Sequence, residues 1–384
     1  MPELDAVLNQ RLDTLESQGL RRQLVLAERE EFPRVNRHGV PLISFACNDY
    51  LGLANDARVI KAAQDALQSH GVGAGASRLI TGNSPLYEAL ETELAGLKKT
   101  QAACVFGSGY LANMGAIAAL MGKGDLILAD KLIHACMIDG AQLSGAQMKR
   151  FAHNDMAHLE TLLKAHRKDY GDCLILTETV FSMDGDVAPM EQMMALAKRY
   201  EAWVMSDDAH GLGIVPSVPV DIQMGTLSKA AGVYGGYICG SRTLIDYMVN
   251  QARSLIFTTA LPPALLAAST AALQIMRSQP QLGAQALANA RLFTACLGMD
   301  EARSHIVPII IGDAARTIEA SHILRDAGYW VSAIRPPTVP AGTSRLRFTF
   351  SALHQSHEIE SLAECIRHHG WIANIDHQRL DAAG

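Results

Sequence analysis

Asp207 and His210 stand three residues apart in SDDAHG, and Thr226 and Lys229 stand three apart in GTLSK. Each pair closes an apolar run, 203–205 and 222–226, that reads as a short strand. In an open α/β sheet, ligands bind beyond the carboxyl ends of the strands. The four side chains are therefore expected to face one crevice. Together they suit pyridoxal 5'-phosphate, whose aldehyde needs a lysine amine for a Schiff base and whose pyridine nitrogen needs a carboxylate. A negative charge beside that nitrogen favours its cationic form. Taken singly, T-x-x-K and D-x-x-H also read as a buried salt bridge and a packed histidine. Their order behind two apolar strands points to the cofactor.

Three further stretches offer groups to the same crevice. In ACVFGSGYLAN a strand over 103–106 enters Gly-Ser-Gly and a helix of small residues starts at once. Such a turn presents free amides and the positive end of a helix to an anion, so Ser108 and Gly109 are candidates to cradle a phosphate. The same residues also read as a plain strand-to-helix turn. The motif is shorter than G-x-G-x-x-G and lacks a Walker lysine, so neither nucleotide reading gains support. His134 opens a helix just after the strand LILAD, where an imidazole could stack on a flat ring or simply pack. Glu178 and Ser182 follow the strand CLILTE on the same side.

The elements that must position these groups alternate strand with helix from about residue 103 to 240, the pattern of a mainly parallel sheet covered on both faces. Ahead of them, Leu4, Leu8, Leu12 and Leu15 mark one face of an amphipathic helix, and VNRHGVPLISF reads as a hairpin turning at His38-Gly39. Residues 71–82 are dense in glycine, and Asn83-Ser84-Pro85 looks like a helix start. After residue 280 a helix, the strand HIVPIII, a helix, the strands WVSAI and SRLRFTF and a last helix suggest a smaller α/β domain. Arg345 and Arg347 share one face of SRLRFTF by the two-residue period. The chain is thus expected to divide into an arm and hairpin (1–45), a large cofactor domain (46–280) and a small C-terminal domain (281–384).

Composition excludes several classes. With 384 residues, 49% of them hydrophobic, the chain can bury a large core, and its net charge is −6. Basic residues are scattered without interleaved aromatics, so nucleic acid has no electrostatic footprint. MPELDAVLNQRLD lacks the apolar stretch of a secretory signal, and no apolar run is long enough to span a bilayer. The seven cysteines are dispersed without C-x-x-C pairing, which points to thiols in a reducing cytoplasm rather than disulfides or a metal site.

The ordered stretches FACNDYLGL, GASRLITG, GSGYLAN, HACMIDGA, FAHND, TETVFSMDGD, DDAHG, TLSKAAG, FTTALPP and IRPPTVPAGTSRLRF resemble the α-oxoamine synthase family, a branch of the fold-type I pyridoxal-phosphate enzymes. The likeness runs from LRR at 20 to the final helix. RPPTVPAGT narrows it to members that condense L-alanine with a pimeloyl thioester, carried by coenzyme A or an acyl carrier protein. The resemblance implies an α/β fold with a mainly parallel seven-stranded sheet in the large domain and a smaller C-terminal α/β domain. It also implies that Lys229 holds the cofactor and moves the proton, Asp207 pairs with the ring nitrogen, His134 stacks on the ring and His210 bonds its phenolic oxygen. Ser108, Gly109, Tyr110 and Thr226 would bind the phosphate and the cofactor edge, with Glu178 and Ser182 nearby. Thr259 would reach the phosphate of the other subunit of a homodimer with shared sites. Arg347 would hold the amino-acid carboxylate, and Asn48 and Arg21 would serve the acyl substrate. The segment between His210 and Lys229 is shorter than the family's, and Tyr110 and Ala260 replace the usual phenylalanine and serine. A glycine-using acyltransferase of the same family and a fold-type I aminotransferase share the lysine and aspartate.

Overall fold

The protein is described from a computed structural model covering residues 3–22 and 24–371, so positions 372–384 of the expected small domain lie outside the described residues. The first helix, α1 (Leu4–Ser17), shows its four leucines on one face, all exposed. Three strands follow: β1 (Glu28–Arg29), β2 (Arg34–Arg37) and β3 (Val40–Ser44). The hairpin β2–β3 turns at His38 and Gly39, which have φ of 53° and 82°. Two left-handed residues are what a tight hairpin turn needs to match the twist of its strands.

The cofactor-domain pattern then unfolds in order. Helices α2 (Ala57–His70) and α3 (Pro85–Lys98) start behind Asp56 and Ser84, with Pro85 at the first helical position of α3. They lead to β4 (Ala102–Phe106), α4 (Gly109–Leu120), β5 (Leu126–Asp130), α5 (Ala135–Ser144), β6 (Gln147–Phe151), α6 (Met156–His166), β7 (Cys173–Glu178), α7 (Met190–Arg199), β8 (Trp203–Asp207), β9 (Ile222–Thr226) and β10 (Gly236–Gly240). After β10 come two helices, α8 (Arg242–Gln251) and the one-turn α9 (Arg253–Ile256), separated at the extended Ala252. Beyond them come α10 (Pro263–Ser278), α11 (Gln281–Cys296), β11 (Ile306–Gly312), α12 (Ala314–Asp326), β12 (Tyr329–Trp330), β13 (Ser332–Ile334), β14 (Ser344–Thr349) and α13 (Ser356–His368).

Seven strands form the sheet β4-β10-β9-β8-β7-β5-β6, in which β10 alone runs against the rest. Alternate residues of each strand feed opposite cores, as the two-residue period requires. Ala103 and Val105 of β4 pack with α2, α3 and α10, while Ala102, Cys104 and Phe106 pack with α4, α5 and α8. A third cluster joins β5, β7 and β8 to α6 and α7. Burial on both faces explains why β4 and most of β5 and β7 read as near-continuous apolar runs. The carboxyl ends of β4, β5, β7, β8 and β9 all lie along one edge.

The described residues form two compact units: those within 3–46, 309–347 and 369–371 in one, Cys47–Pro308 and Phe348–His368 in the other. Where the sequence places a boundary near 280, α11 and α13 both belong to the larger unit. Phe293 of α11 packs in tilted fashion against Phe348 and Phe350 with ring centres 4.9 and 5.0 Å apart, and Asn289 donates to the carbonyls of Ser351 and His354. In the smaller unit the expected strand WVSAI is divided at the buried Val331. Trp330 pairs in parallel with Ser44 of β3, whereas Ser332 pairs antiparallel with Arg347 of β14. Periodicity sees one run there because it carries no information about partners.

Candidate active site

The site is built at the ends of β8 and β9. Asp207 closes β8 and is 5% exposed. Its Oδ1 accepts from the Ala209 amide at 2.8 Å and its Oδ2 from Asn113 Nδ2 at 2.7 Å. Its neighbour Asp208 takes the opposite face of the strand and accepts from Lys98 Nζ at 2.6 Å, both side chains being buried. Burial raises the Asp208 pKa and Lys98 opposes the rise. The acidic doublet thus splits into one carboxylate on the crevice side and one committed to a structural ion pair.

Lys229 follows β9 by three residues and is half-buried, with its Nζ 2.8 Å from His210 Nε2. The other nitrogen of that ring, Nδ1, lies 2.7 Å from the hydroxyl of Tyr50, which donates to Asn48 Oδ1 at 2.9 Å. Thr226 donates to the Gly235 carbonyl at 2.8 Å and meets Ser228 Oγ at the same distance. Asp207, His210, Thr226 and Lys229 therefore stand at one edge, as their spacing predicts.

Two strand-to-helix turns close in from β4 and β5. Ser108 caps α4 through its Oγ, which accepts from the Leu111 amide at 3.2 Å. A Cβ on Gly109 would lie 3.1 Å from Met224 Cε and 3.2 Å from Thr226 Cβ, and one on Gly236 would lie 2.4 Å from the Ser108 carbonyl oxygen. Glycine is what allows these backbones to approach, and it leaves the first turn of α4 unscreened for an anion. His134 caps α5, its Nδ1 accepting from the Cys136 amide at 3.3 Å and lying 2.9 Å from Cys136 Sγ. His134 is exposed, yet partial burial of its ring lowers its pKa, with Asp207 opposing and Lys229 reinforcing that shift. Tyr110 sets its ring edge-on to His134 and donates to Asp139.

Glu178 ends β7 directly opposite Asp207 in the β7–β8 register and is 3% exposed. Burial pushes its pKa well above the carboxylate range, and the Asp207 charge adds to the effect. The amides of His134 and Ser182 donate to it, which ties two loops to one carboxyl. Thr259 is exposed, and its backbone forms an isolated bridge with Ser77 of the glycine-rich stretch. Arg21 and Arg347 belong to the smaller unit. Arg21 is exposed and lies 3.4 Å from Glu16, whereas Arg347 and Arg345 are each 5% exposed on β14.

Three residues with a direct part in this geometry were not among the sequence candidates: Asn113, Tyr50 and Cys136. Asn113 had a signal, being an amide inside a helix otherwise made of small and apolar residues. Its Nδ2 serves both Asp207 and, at 3.1 Å, Cys136 Sγ. Burial drives the Cys136 thiol up to about 12, so it stays protonated. The donor set fits pyridoxal phosphate: one amine for the aldehyde, one fixed carboxylate for the ring nitrogen and one bare helix start for the phosphate.

Residues 40–366 match the family model described as aminotransferase class I and II. The chain is 53% identical over 367 residues to 8-amino-7-oxononanoate synthase of Methylobacterium radiotolerans, covering 95% of this chain and 98% of that protein. It is 54% identical over 364 residues to the protein of the same name in Methylorubrum extorquens, covering 94% and 95%. Among solved structures, a serine palmitoyltransferase from S. paucimobilis with pyridoxal phosphate and myriocin bound superimposes with a TM-score of 0.90 at 28% identity, covering 97% of this chain and all of that one. An 8-amino-7-oxononanoate synthase from Francisella tularensis superimposes with a TM-score of 0.73 at 25% identity, covering 88% and 99%.

Proposed function

Because the chain belongs to the aminotransferase class I and II family, in its α-oxoamine synthase branch, we propose that it makes 8-amino-7-oxononanoate. L-alanine and a pimeloyl thioester, carried by coenzyme A or an acyl carrier protein, give that product, carbon dioxide and a free thiol, a step of biotin biosynthesis. The observation that carries the reading is the meeting of Lys229, His210 and Asp207 at two adjacent strand ends in a chain 53% identical to a protein of that name.

Pyridoxal phosphate, when bound, supplies a cationic ring that takes up the electrons left at the amino-acid Cα. We assign Lys229 Nζ to hold its aldehyde and to take the Cα proton of alanine. Asp207 places a negative charge at the ring nitrogen, with Asn113 and the Ala209 amide keeping both carboxylate oxygens in place. His210 would serve the phenolic oxygen, His134 would lie against the ring, and Ser108, Gly109, Tyr110 and Thr226 would hold the phosphate and the cofactor edge. Glu178 and Ser182 complete that wall. Arg347 offers a planar two-point fork for the alanine carboxylate, which an ammonium group would not match. Asn48 and Arg21 serve the acyl chain. An imidazole beside the new carbonyl, from His134 or His210, stabilises its developing negative charge. Thr259 is assigned to the phosphate of the partner subunit in a cytoplasmic homodimer. Among the described residues no helix is long and apolar enough to cross a membrane.

The test is a panel of amino acids and acyl thioesters with thiol release as the readout. L-alanine with pimeloyl thioester should be preferred. The likeness to serine palmitoyltransferase supports a second reading, L-serine with a long-chain thioester, and preference for that pair would replace the first. Preference for glycine with acetyl or succinyl thioester, or amino transfer to an oxo acid without carbon dioxide, would also overturn it.

A further inference from the structure

His153, in the FAHND stretch after β6, lies between two carboxylates. Its Nδ1 is 2.9 Å from Asp130 Oδ1 and its Nε2 is 2.7 Å from Asp186 Oδ2. An ionised carboxylate only accepts, so two such partners call for a proton on each ring nitrogen and a cationic ring; Asn154 Nδ2, 3.3 Å from Nε2, is nearer to Asp186 Oδ2 and donates there. We propose that His153 is a positioning residue, an imidazolium that ties the loop after β5, which leads into His134, to the loop after β7, which carries Ser182.

Each end of the tie is anchored. Asp130 closes β5 and is fully buried, and it also accepts from the Leu132 amide at 2.8 Å and from the Asn154 amide at 2.8 Å. Asp186 accepts a second bond from Asn154 Nδ2 at 2.7 Å. The loop it sits on is folded on itself by the Val180–Val187 bridge and the bond from the Phe181 amide to the Asp186 carbonyl. Phe181 sets its ring edge-on to the imidazole with centres 4.4 Å apart. Burial works against a charged ring, but the two carboxylates that face it, Asp130 and Asp186, override it and raise the His153 pKa to about 10. The tied loops are the ones whose amides, from His134 and Ser182, converge on Glu178. Among the described residues the hydrogen bonds and ring contacts of His153 go to Asp130, Asp186, Asn154 and Phe181, so it acts through the loops that present the crevice groups.

The catalytic meaning of those loops rests on the function proposed above, whereas the tie itself does not. The test therefore uses no substrate. Histidine nitrogen resonances of the 15N-labelled full chain should show His153 doubly protonated at pH about 8. In the cofactor-free protein, His153→Gln and the milder Asp186→Asn should speed amide exchange at 131–136 and 179–188 while leaving α11 and α13 unchanged. Pyridoxal phosphate titrated into His153→Gln should bind several-fold more weakly, because binding must then order the loosened loops, and an unchanged affinity would overturn the proposal. A neutral His153 at that pH would overturn the proposal. So would exchange that is unaltered, or that rises evenly across the whole unit as for a merely destabilised fold.

Discussion

Replacing Asp207 by asparagine separates the charge of this side chain from its shape. The carboxylate accepts two donors, the fixed Ala209 amide at 2.8 Å and the rotatable Asn113 amide at 2.7 Å. The introduced group keeps one acceptor oxygen, which stays on Ala209, and turns its NH2 toward Asn113. That would set donor against donor, except that Asn113 can rotate and offer Oδ1, a buried atom without a partner among the described residues. The exchange of a charge-assisted bond for a neutral one should lower stability by only about 1–2 kcal/mol. Chemistry should suffer far more, because losing one preorganised electrostatic partner costs about 10²–10³ in rate. The assay follows loss of α-deuterium from L-alanine without thioester, and thiol release with it, alongside cofactor affinity. Asp207→Asn should keep most of the affinity and lose both rates. Deuterium loss at the parental rate would refute the assignment. Asp208 is a poor substitute, since Lys98 holds it on the other face of the strand.

Lys229→Ala should abolish turnover and the absorbance of covalently held cofactor, and thiol release above background would remove Lys229 from the mechanism. Arg21→Ala should raise KM for the pimeloyl donor while sparing alanine, by the equivalent of about 1.5–3 kcal/mol where the bound chain desolvates the contact, and an equal effect on a monocarboxylic donor would show that Arg21 reads something else. Lys98→Met strands the buried Asp208 and should cost about 3–5 kcal/mol in urea unfolding, with a loss near zero counting against a structural ion pair. His153, whose folded pKa is raised from 6.5 to about 10, contributes stability that is complete below 6.5 and fades as the pH rises through about 10. Unfolding midpoints across that window should fall in the parent and lack this component in His153→Gln.

Much of this site was legible in order along the chain because each of its main groups follows its own apolar strand. Lys229, Asp207, Glu178 and His134 all stand within four residues of a strand end, where local pattern is informative. Asn113, Tyr50 and Cys136 escaped because their importance lies in contacts across the chain. Asn113 meets Asp207 over 94 residues and Tyr50 meets His210 over 160. The division of WVSAI escaped for the same reason, since its two halves differ only in which strand they adjoin. The alternation of strand and helix gave the parallel sheet, but only packing shows that α11 belongs with α13.

The row of bonds from Asn48 to Lys229 has a direction. Tyr50 owns a single hydroxyl proton and donates it to Asn48 Oδ1, so toward His210 its oxygen can only accept. With Nδ1 of His210 donating to that oxygen, a neutral ring would turn its Nε2 lone pair toward the lysine amine. The orientation of one amide therefore selects a tautomer two links away. With leucine at position 48 the hydroxyl would be released to turn onto Nδ1, moving the ring proton to Nε2 and setting an N–H against the donors of Lys229. The geometry gives Asn48 a route to bias which His210 nitrogen offers a proton to the lysine, without touching it.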